Sequence, residues 1–167
     1  NETYDAMIAD PAKTNLLNKA AQGLYSPGSV FKLLTLLEYI RENPDTWQRF
    51  SYQCGGSIEA GGVRIGCSGG AAHGTVDAQR ALELSCNGAF VEMGMTLNQN
   101  SFARTCEQAG FNRPISFELP AETSSFKLNR ASSPFETAQT VFGQGQTTVT
   151  PLHNGMIVAA IANDGVM

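Results

Sequence analysis

Residues 25–40 read YSPGSVFKLLTLLEYI, and this apolar segment begins directly after a proline-glycine break. Pro27 and Gly28 interrupt the preceding residues. From Val30 onward the side chains are apolar almost all round, a pattern that predicts a helix buried in a core rather than lying on a surface. We expect this helix to run from Ser29 to about Glu42, with the rest of the domain packed around it.

The same segment places a hydroxyl and an amine on one helix face. Ser29 and Lys32 are three residues apart and therefore neighbours on a helix, so Lys32 could take the Ser29 proton. A serine in the first turn also lies at the positive end of the helix dipole, where an oxyanion is stabilised. The alternative is that Ser29 only caps the helix and Lys32 is solvated. Ser124 and Lys127 share the spacing in a polar stretch without a helical pattern, so spacing alone identifies nothing.

The composition is that of one domain with a substantial core. The chain has 167 residues, of which 42% are hydrophobic and 16% charged. A net charge of −4 and a pI near 5.1, without a basic cluster, argue against nucleic acid as a partner. No apolar run approaches the length of a membrane span, and no signal peptide is recognisable at Asn1.

The cysteines leave three interpretations open. Cys54 and Cys67 flank a glycine-rich segment that predicts a β-hairpin over about Phe50–Cys67. A turn centred just after Ala60 would set the two cysteines opposite each other, close enough for a disulfide. Two reduced thiols are the second interpretation. A zinc site using His73 is the third, although there is no C-x-x-C pair and no fourth ligand is placed.

The rest of the chain is predicted to be mostly helical, after an irregular lead-in over residues 1–24. Helices are expected at about Leu16–Ala21, Val76–Leu84 (capped by Thr75), Phe90–Leu97, 101–109 (capped by Asn100 or Ser101), Pro134–Val141 and His153–Ala162 (opened by Thr150 and Pro151), with one short strand at Ile115–Leu119.

A second group of polar residues lies between two predicted helices. Ser85-Cys86-Asn87 is the only S-x-N sequence in the chain. Asn87 could hydrogen-bond both a lysine and a substrate carbonyl, and Ser85 could pass a proton to a leaving amine. A nucleophilic serine and its lysine do not by themselves supply these two functions, substrate binding and proton transfer to the leaving group.

Ser29-x-x-Lys32, Ser85-Cys86-Asn87 and the glycine loop Phe142–Leu152, in this order and with these gaps, resemble the transpeptidase domain of penicillin-binding proteins. The resemblance implies that residues 1–167 are a single partial transpeptidase domain. The fold would be mostly α, the helical part of an α/β β-lactamase/transpeptidase-like fold with one small β-hairpin. Most of the family's five-stranded sheet would be absent, and the family's Lys-Thr/Ser-Gly motif is expected beyond Met167.

The resemblance also implies a mechanism. Ser29 would attack the penultimate D-Ala carbonyl of a peptidoglycan stem peptide, and β-lactams would mimic that D-Ala-D-Ala end. Lys32 would be the base, and Ser85 and Asn87 would complete the proton network. Because the family's sheet supplies an oxyanion donor, these 167 residues alone are expected to acylate slowly or not at all.

Further expectations concern the surroundings of the protein. The family implies a membrane-anchored protein on the extracytoplasmic face of the bacterial membrane, within a cell-wall synthesis complex. No cofactor or metal is expected, and His73 and His153 are predicted to be ordinary polar residues. The helix Met156–Ala162 and part of the first buried helix should expose an apolar face that permits self-association.

Three alternatives remain open. A serine β-lactamase would use the same two motifs, but its glutamate in the pattern E-x-x-L-N would fall at Ser125. A penicillin-sensing receptor domain would acylate without turnover, and a non-catalytic helical interaction module would not acylate. The lifetime of a penicilloyl adduct distinguishes these activities.

Overall fold

The computed structural model describes residues 2–9 and 17–167. Within them the chain is mostly helical, as the sequence predicts, with short strands and 3₁₀ turns between the helices. The helices are α1 (Glu2–Ala9), α2 (Lys19–Gln22), α3 (Lys32–Glu42), α4 (Ala78–Glu83), α5 (Asn87–Met95), α6 (Gln99–Gln108), α7 (Pro134–Thr140) and α8 (Pro151–Ala162). The strands are β1 (Tyr52–Cys54), β2 (Ser57–Ala60), β3 (Val63–Gly66) and β4 (Gly74–Val76).

The strands form two antiparallel pairs, β2 with β3 and β1 with β4. The predicted hairpin is therefore present as β2–β3, and β1–β4 adds a second small sheet. The hairpin turn is Gly61-Gly62, where φ values of 59° and 78° favour glycine. Cys54 lies in β1 opposite Gly74. The expectation that Cys54 and Cys67 lie opposite each other in one hairpin is wrong, because β1 pairs with β4 instead.

A 3₁₀ turn over Gly28–Phe31 leads into α3, so Ser29 lies one turn before the α-helix proper. The Lys32 N–H donates to the Ser29 carbonyl and continues the chain into α3. The Gly28 N–H donates to the Gly143 carbonyl at 2.9 Å. Gly143 has a φ of 87°, and a Cβ there would overlap the Gly28 carbonyl. The glycine loop of residues 142–145 thus lies against the turn that carries Ser29.

Phe31 anchors this turn in the core. Its ring centroid lies 5.8 Å from Phe102, 5.8 Å from Phe111 and 5.9 Å from Phe126. All four rings are buried, and clustered aromatic rings contribute beyond the area that they bury. The aromatic cluster thereby fixes the chain between Ser29 and Lys32 against α6 and the following segment.

A second apolar cluster surrounds α5. Ala89, Phe90 and Met93 are fully buried there, together with Cys54 and Cys86. The helix packs against α3 and β1. Since α5 begins at the S-x-N sequence, this packing places that sequence beside the start of α3.

Two helix caps differ from the prediction. Asp77, not Thr75, caps α4, because its carboxylate accepts the Arg80 N–H at 2.7 Å while Thr75 lies in β4. Asn98, and not the expected Asn100 or Ser101, caps α6. The backbone N–H groups of Asn100 and Ser101 both donate to the Asn98 side chain. The Thr150 cap of α8 is confirmed, since its hydroxyl accepts the N–H three residues later.

Three other expectations differ from the structure or lie outside it. The lead-in contains α1, which the irregular prediction for residues 1–24 missed. The predicted helix Leu16–Ala21 is seen as α2, and Leu16 lies outside the described residues. Ile115–Leu119 forms no strand.

Among residues 2–9 and 17–167, none of the helices has the length and apolar character needed to cross a bilayer.

Candidate active site

The buried amine of Lys32 lies at the centre of the site, and its side chain is only 1% exposed. Its Nζ lies 2.6 Å from Asn87 Oδ1, 2.7 Å from the Ser85 carbonyl oxygen, 2.9 Å from Ser85 Oγ and 3.3 Å from Ser29 Oγ. The structure therefore brings together all four residues that the sequence selected. They come from sequence positions more than 50 residues apart, and the packing of α5 against α3 joins them.

The four contacts around Nζ are chemically unequal. Asn87 Oδ1 and the Ser85 carbonyl can only accept hydrogen bonds, and they make the two shortest contacts. A neutral amine has two N–H donors and one lone pair, so these two acceptors use both donors. The lone pair then remains for a hydroxyl proton of Ser29 or Ser85.

The orientation of Asn87 is fixed from its other end. Its Nδ2 donates to the Gly66 carbonyl, at the end of β3, at 2.8 Å. This bond assigns the amide nitrogen to the hairpin and turns Oδ1 toward Lys32. The hairpin is thus part of the site although it carries no reacting group.

The two hydroxyls form a short chain that leads to solvent. Ser85 Oγ donates to Ser29 Oγ at 2.9 Å. Ser29 is exposed, and Ser85 is partly buried behind it. Ser85 adopts a φ of 51°, a backbone conformation uncommon outside glycine, asparagine and aspartate. Such strain persists where the surroundings over-determine it, often at functional sites.

Burial lowers the pKa of the Lys32 amine. Removal from water lowers the pKa of Lys32 from 10.5 to about 8, with the nearby Cys67 and Cys86 acting in the opposite direction. The Nζ also lies 5.5 Å from the centroid of the Phe90 ring. A pKa near 8 leaves an appreciable neutral fraction at physiological pH, as a general base requires.

The second S-x-x-K sequence forms no such pair. Ser124 is fully buried and its hydroxyl accepts the Thr150 N–H at 3.2 Å. Lys127 is exposed. His153 is also structural, because it is fully buried, packs on Phe111 and lies 2.6 Å from the Ala109 carbonyl.

A group of sulfur and imidazole ligands lies directly behind the Ser85-Cys86-Asn87 turn. Sγ of Cys67 lies 3.7 Å from that of Cys54 and 3.8 Å from that of Cys86, and Nδ1 of His73 lies 3.4 Å from Cys54 Sγ. All four atoms lie within 4.8 Å of one another. None of the four cysteines forms a disulfide in the structure.

The sequence placed no fourth potential ligand beside Cys54, Cys67 and His73, and the structure adds Cys86 to that group. The sequence gives no signal for Cys86, because this residue is the middle one of the S-x-N sequence and lies 19 residues beyond Cys67. Burial raises the pKa of Cys86 to about 12. Burial acts in the same direction on Cys54, but hydrogen bonds from the backbone of His73 and Gly56 and from the other thiols lower its pKa to about 6.

Comparison with known proteins gives consistent matches along the whole chain. The family profile described as "Penicillin binding protein transpeptidase domain" matches residues 1–167. Stage V sporulation protein D of Bacillus subtilis is 32% identical over 165 residues, covering 98% of this chain and 25% of that protein. Peptidoglycan D,D-transpeptidase PbpA of Mycolicibacterium smegmatis is 27% identical over 95% of this chain and 33% of its own length. The chain thus spans a third or less of these relatives.

Solved structures match the fold closely. The D,D-transpeptidase domain of a peptidoglycan glycosyltransferase from Eggerthella lenta superposes with a TM-score of 0.87 at 28% identity, over 99% of this chain and 43% of the other. Penicillin-binding protein A from Mycobacterium tuberculosis, solved as a penicillin G acyl-enzyme complex, gives a TM-score of 0.84 at 26% identity. That match covers 99% of this chain and 38% of the other.

Proposed function

Because the chain belongs to the transpeptidase domain family of penicillin-binding proteins, we propose that its protein is a peptidoglycan D,D-transpeptidase acylated at Ser29. The single observation that carries this proposal is the Lys32 amine, which is buried and bonded to Asn87 and Ser85 with Ser29 Oγ 3.3 Å away. Such an arrangement pairs a solvent-facing nucleophile with an oriented base.

In the acylation step, Lys32 Nζ takes the Ser29 proton while Ser29 Oγ attacks the penultimate D-Ala carbonyl of a stem peptide. The proton then passes from Lys32 through the Ser85 hydroxyl to the nitrogen of the terminal D-Ala, which leaves as the free amino acid. The carbonyl remains bound to Ser29 as an ester. An acceptor amine from a second stem peptide attacks that ester, forms the cross-link and releases Ser29.

Two further groups of the site serve this chemistry. The Ser29 N–H lies in the first turn of a helix, where N–H groups lack partners from the helix itself, and is one oxyanion donor. Asn87 Oδ1 accepts from Lys32, and its amide would also hold the substrate amide. A β-lactam opens at its carbonyl by the same attack, which is consistent with the penicillin G acyl-enzyme reported for the M. tuberculosis protein.

The proposed substrate also indicates a cellular location. Peptidoglycan stem peptides are cross-linked outside the cytoplasmic membrane, so the proposed location is its extracytoplasmic face. The name of the M. smegmatis relative, a peptidoglycan D,D-transpeptidase, indicates cell-wall synthesis, and the proposed role is within such a synthesis complex.

A fluorescent penicillin tests the proposal on the full gene product. We expect one covalent label per chain, mapped by mass spectrometry to the peptide that contains Ser29. Ser29→Ala should abolish labelling, whereas Ser26→Ala, which changes an exposed serine three residues earlier, should retain it. Labelling of the Lys32→Ala variant should be slower than that of the wild type, and labelling of Lys127→Ala should not.

The lifetime of the label distinguishes the alternatives. A lasting adduct together with release of D-Ala from a D-Ala-D-Ala peptide supports the transpeptidase, and a lasting adduct without it indicates a penicillin sensor. Rapid turnover would identify a β-lactamase instead. No adduct on the wild-type protein would overturn the proposal in favour of a non-catalytic helical module.

A further inference from the structure

Four potential metal ligands converge behind the S-x-N turn from four separate parts of the chain. Cys54 ends β1, Cys67 follows β3, His73 precedes β4, and Cys86 is the residue before α5. Their ligand atoms all lie within 4.8 Å of one another. Nothing in the acyl-transfer chemistry of Ser29 requires three cysteines and a histidine in one place.

The spacing of these atoms matches a tetrahedral centre. Zinc binds sulfur at about 2.3 Å and histidine nitrogen at about 2.0–2.1 Å, so tetrahedral ligands are about 3.8 Å apart for two sulfurs and about 3.6 Å for sulfur and nitrogen. The observed Sγ–Sγ distances are 3.7 and 3.8 Å, and the Cys54 Sγ to His73 Nδ1 distance is 3.4 Å. Three edges of the tetrahedron are thus already formed.

The ligand set selects the ion. Three thiolates and one imidazole in tetrahedral positions are a structural zinc combination, whereas carboxylate-free sites of this kind suit neither magnesium nor calcium. A disulfide would use only two of the four groups and would leave a third thiol and an imidazole beside it. We propose that Cys54, Cys67, His73 and Cys86 bind one structural Zn²⁺.

The burial pattern fits such a closed site. The three cysteines are 0–5% exposed, while His73 is partly exposed and gives the ion a route from solvent. Cys67 is further held by its N–H, which donates to the Gly56 carbonyl at 2.9 Å. The protein thus supplies four coordinating atoms and no place for a catalytic water, as in structural zinc sites.

The zinc would position the acyl-transfer residues. Cys86 lies between Ser85 and Asn87, so a bond from its sulfur to the ion ties this turn to both small sheets. Ser85 has a φ of 51°, a conformation that an anchored neighbour helps to maintain. Zinc binding itself does not rest on the proposed transpeptidase activity, but this positioning role does.

Metal content tests the site directly. The full gene product, purified under reducing conditions without chelators, should contain one more zinc per chain than its Cys54→Ser variant, measured by inductively coupled plasma mass spectrometry. Cys106→Ser is the matched control, since Cys106 is also fully buried but lies in α6 outside the cluster. This control should keep its zinc. Ser29→Ala should also keep its zinc while losing the penicillin label, so the two proposals fail separately.

A second measurement applies if Cys54→Ser does not fold. Cobalt(II) added to zinc-depleted wild-type protein should give the visible bands of a tetrahedral ion and thiolate charge-transfer absorption. His73→Ala changes a partly exposed residue, and should alter these bands and weaken zinc affinity by more than the 10–100-fold typical of outer-shell changes. The proposed site would be overturned if wild-type protein contained no more zinc than Cys54→Ser. Where that variant does not fold, the absence of tetrahedral cobalt bands in the wild-type protein would overturn it. So would a disulfide between two of these cysteines in protein that still acylates.

Discussion

At the scale of single residues, the protonation state of Lys32 is central to the proposed acyl transfer. Its amine is surrounded by Asn87 Oδ1, the Ser85 carbonyl and two hydroxyls. An ammonium has only three donors, and burial disfavours the charged form. In the proposed mechanism the neutral amine is the form that accepts the Ser29 proton, so the neutral population should govern the acylation rate.

The acylation rate is therefore predicted to rise with pH. Since the pKa of Lys32 is lowered to about 8, the second-order rate constant for β-lactam acylation should increase about tenfold per pH unit below that value and level off above it. Stopped-flow or gel-based labelling across neutral to mildly alkaline pH measures this. A rate independent of pH through this range would contradict the assignment of Lys32 as the base.

Two variants serve as controls for the pH profile. Lys32→Arg keeps a cation that cannot lose its proton, so the rate should fall by roughly 10²–10⁴-fold on the alkaline plateau and should no longer rise with pH. Asn87→Asp places a carboxylate where Oδ1 lies 2.6 Å from Nζ. The midpoint of the profile should then move upward by about one to three units, because an opposite charge stabilises the ammonium.

At the scale of elements, the site depends on the contact between the glycine loop and the turn that carries Ser29. Gly143 and Gly28 approach each other so closely that a side chain on Gly143 has no room. Their backbone hydrogen bond is 2.9 Å long. The loop therefore supports the turn that carries Ser29.

Gly143→Ala is predicted to destabilise this contact. Left-handed backbone strain of about 1–2 kcal/mol adds to overpacking of about 1–3 kcal/mol, so the free energy of unfolding should fall by about 2–5 kcal/mol. Gly62→Ala is the matched control, because Gly62 also has a positive φ of 78° but has no atom within 4 Å of the position that a Cβ would take. It should lose only about 1–2 kcal/mol. Equal losses in urea unfolding would show that the loop contact is unimportant.

At the scale of the whole molecule, one apolar face stands out. It is lined by residues of α3 and α8 that include Leu33, Leu37, Ile157 and Ile161. Leu37 is 46% exposed and Ile161 is 57% exposed. The predicted apolar face on these two helices is thus confirmed, and patches of this kind favour association.

A polypeptide of these 167 residues expressed on its own is predicted to self-associate through this face. Leu37→Glu with Ile161→Glu should shift it toward monomer in analytical ultracentrifugation, because two charges would be buried by association. Leu119→Glu is the control, since Leu119 is similarly exposed at 54% but does not line the face. A wild-type polypeptide that is monomeric and melts sharply would contradict the prediction.

Local sequence features predicted much of the fold because they act over short distances. The apolar run after Pro27-Gly28, the Thr150-Pro151 cap and the hairpin glycines each determine a nearby backbone conformation. Asn98 is the cap of α6 although Asn100 and Ser101 are equally good capping residues, and β1 pairs with β4 across the intervening hairpin. Choices of this kind depend on packing that no local pattern records.

The sequence by itself determined the two local groups of the candidate site, since Ser29 and Lys32 share one helical face and Ser85-Cys86-Asn87 is a single tight turn. Only the tertiary structure decided that these two segments meet at the Lys32 amine. It also decided that Cys86 completes a four-ligand cluster with Cys54, Cys67 and His73. The physical reason is that helix contacts reach three or four residues along the chain, whereas these groups are joined by the burial of α5 against α3 and the small sheets.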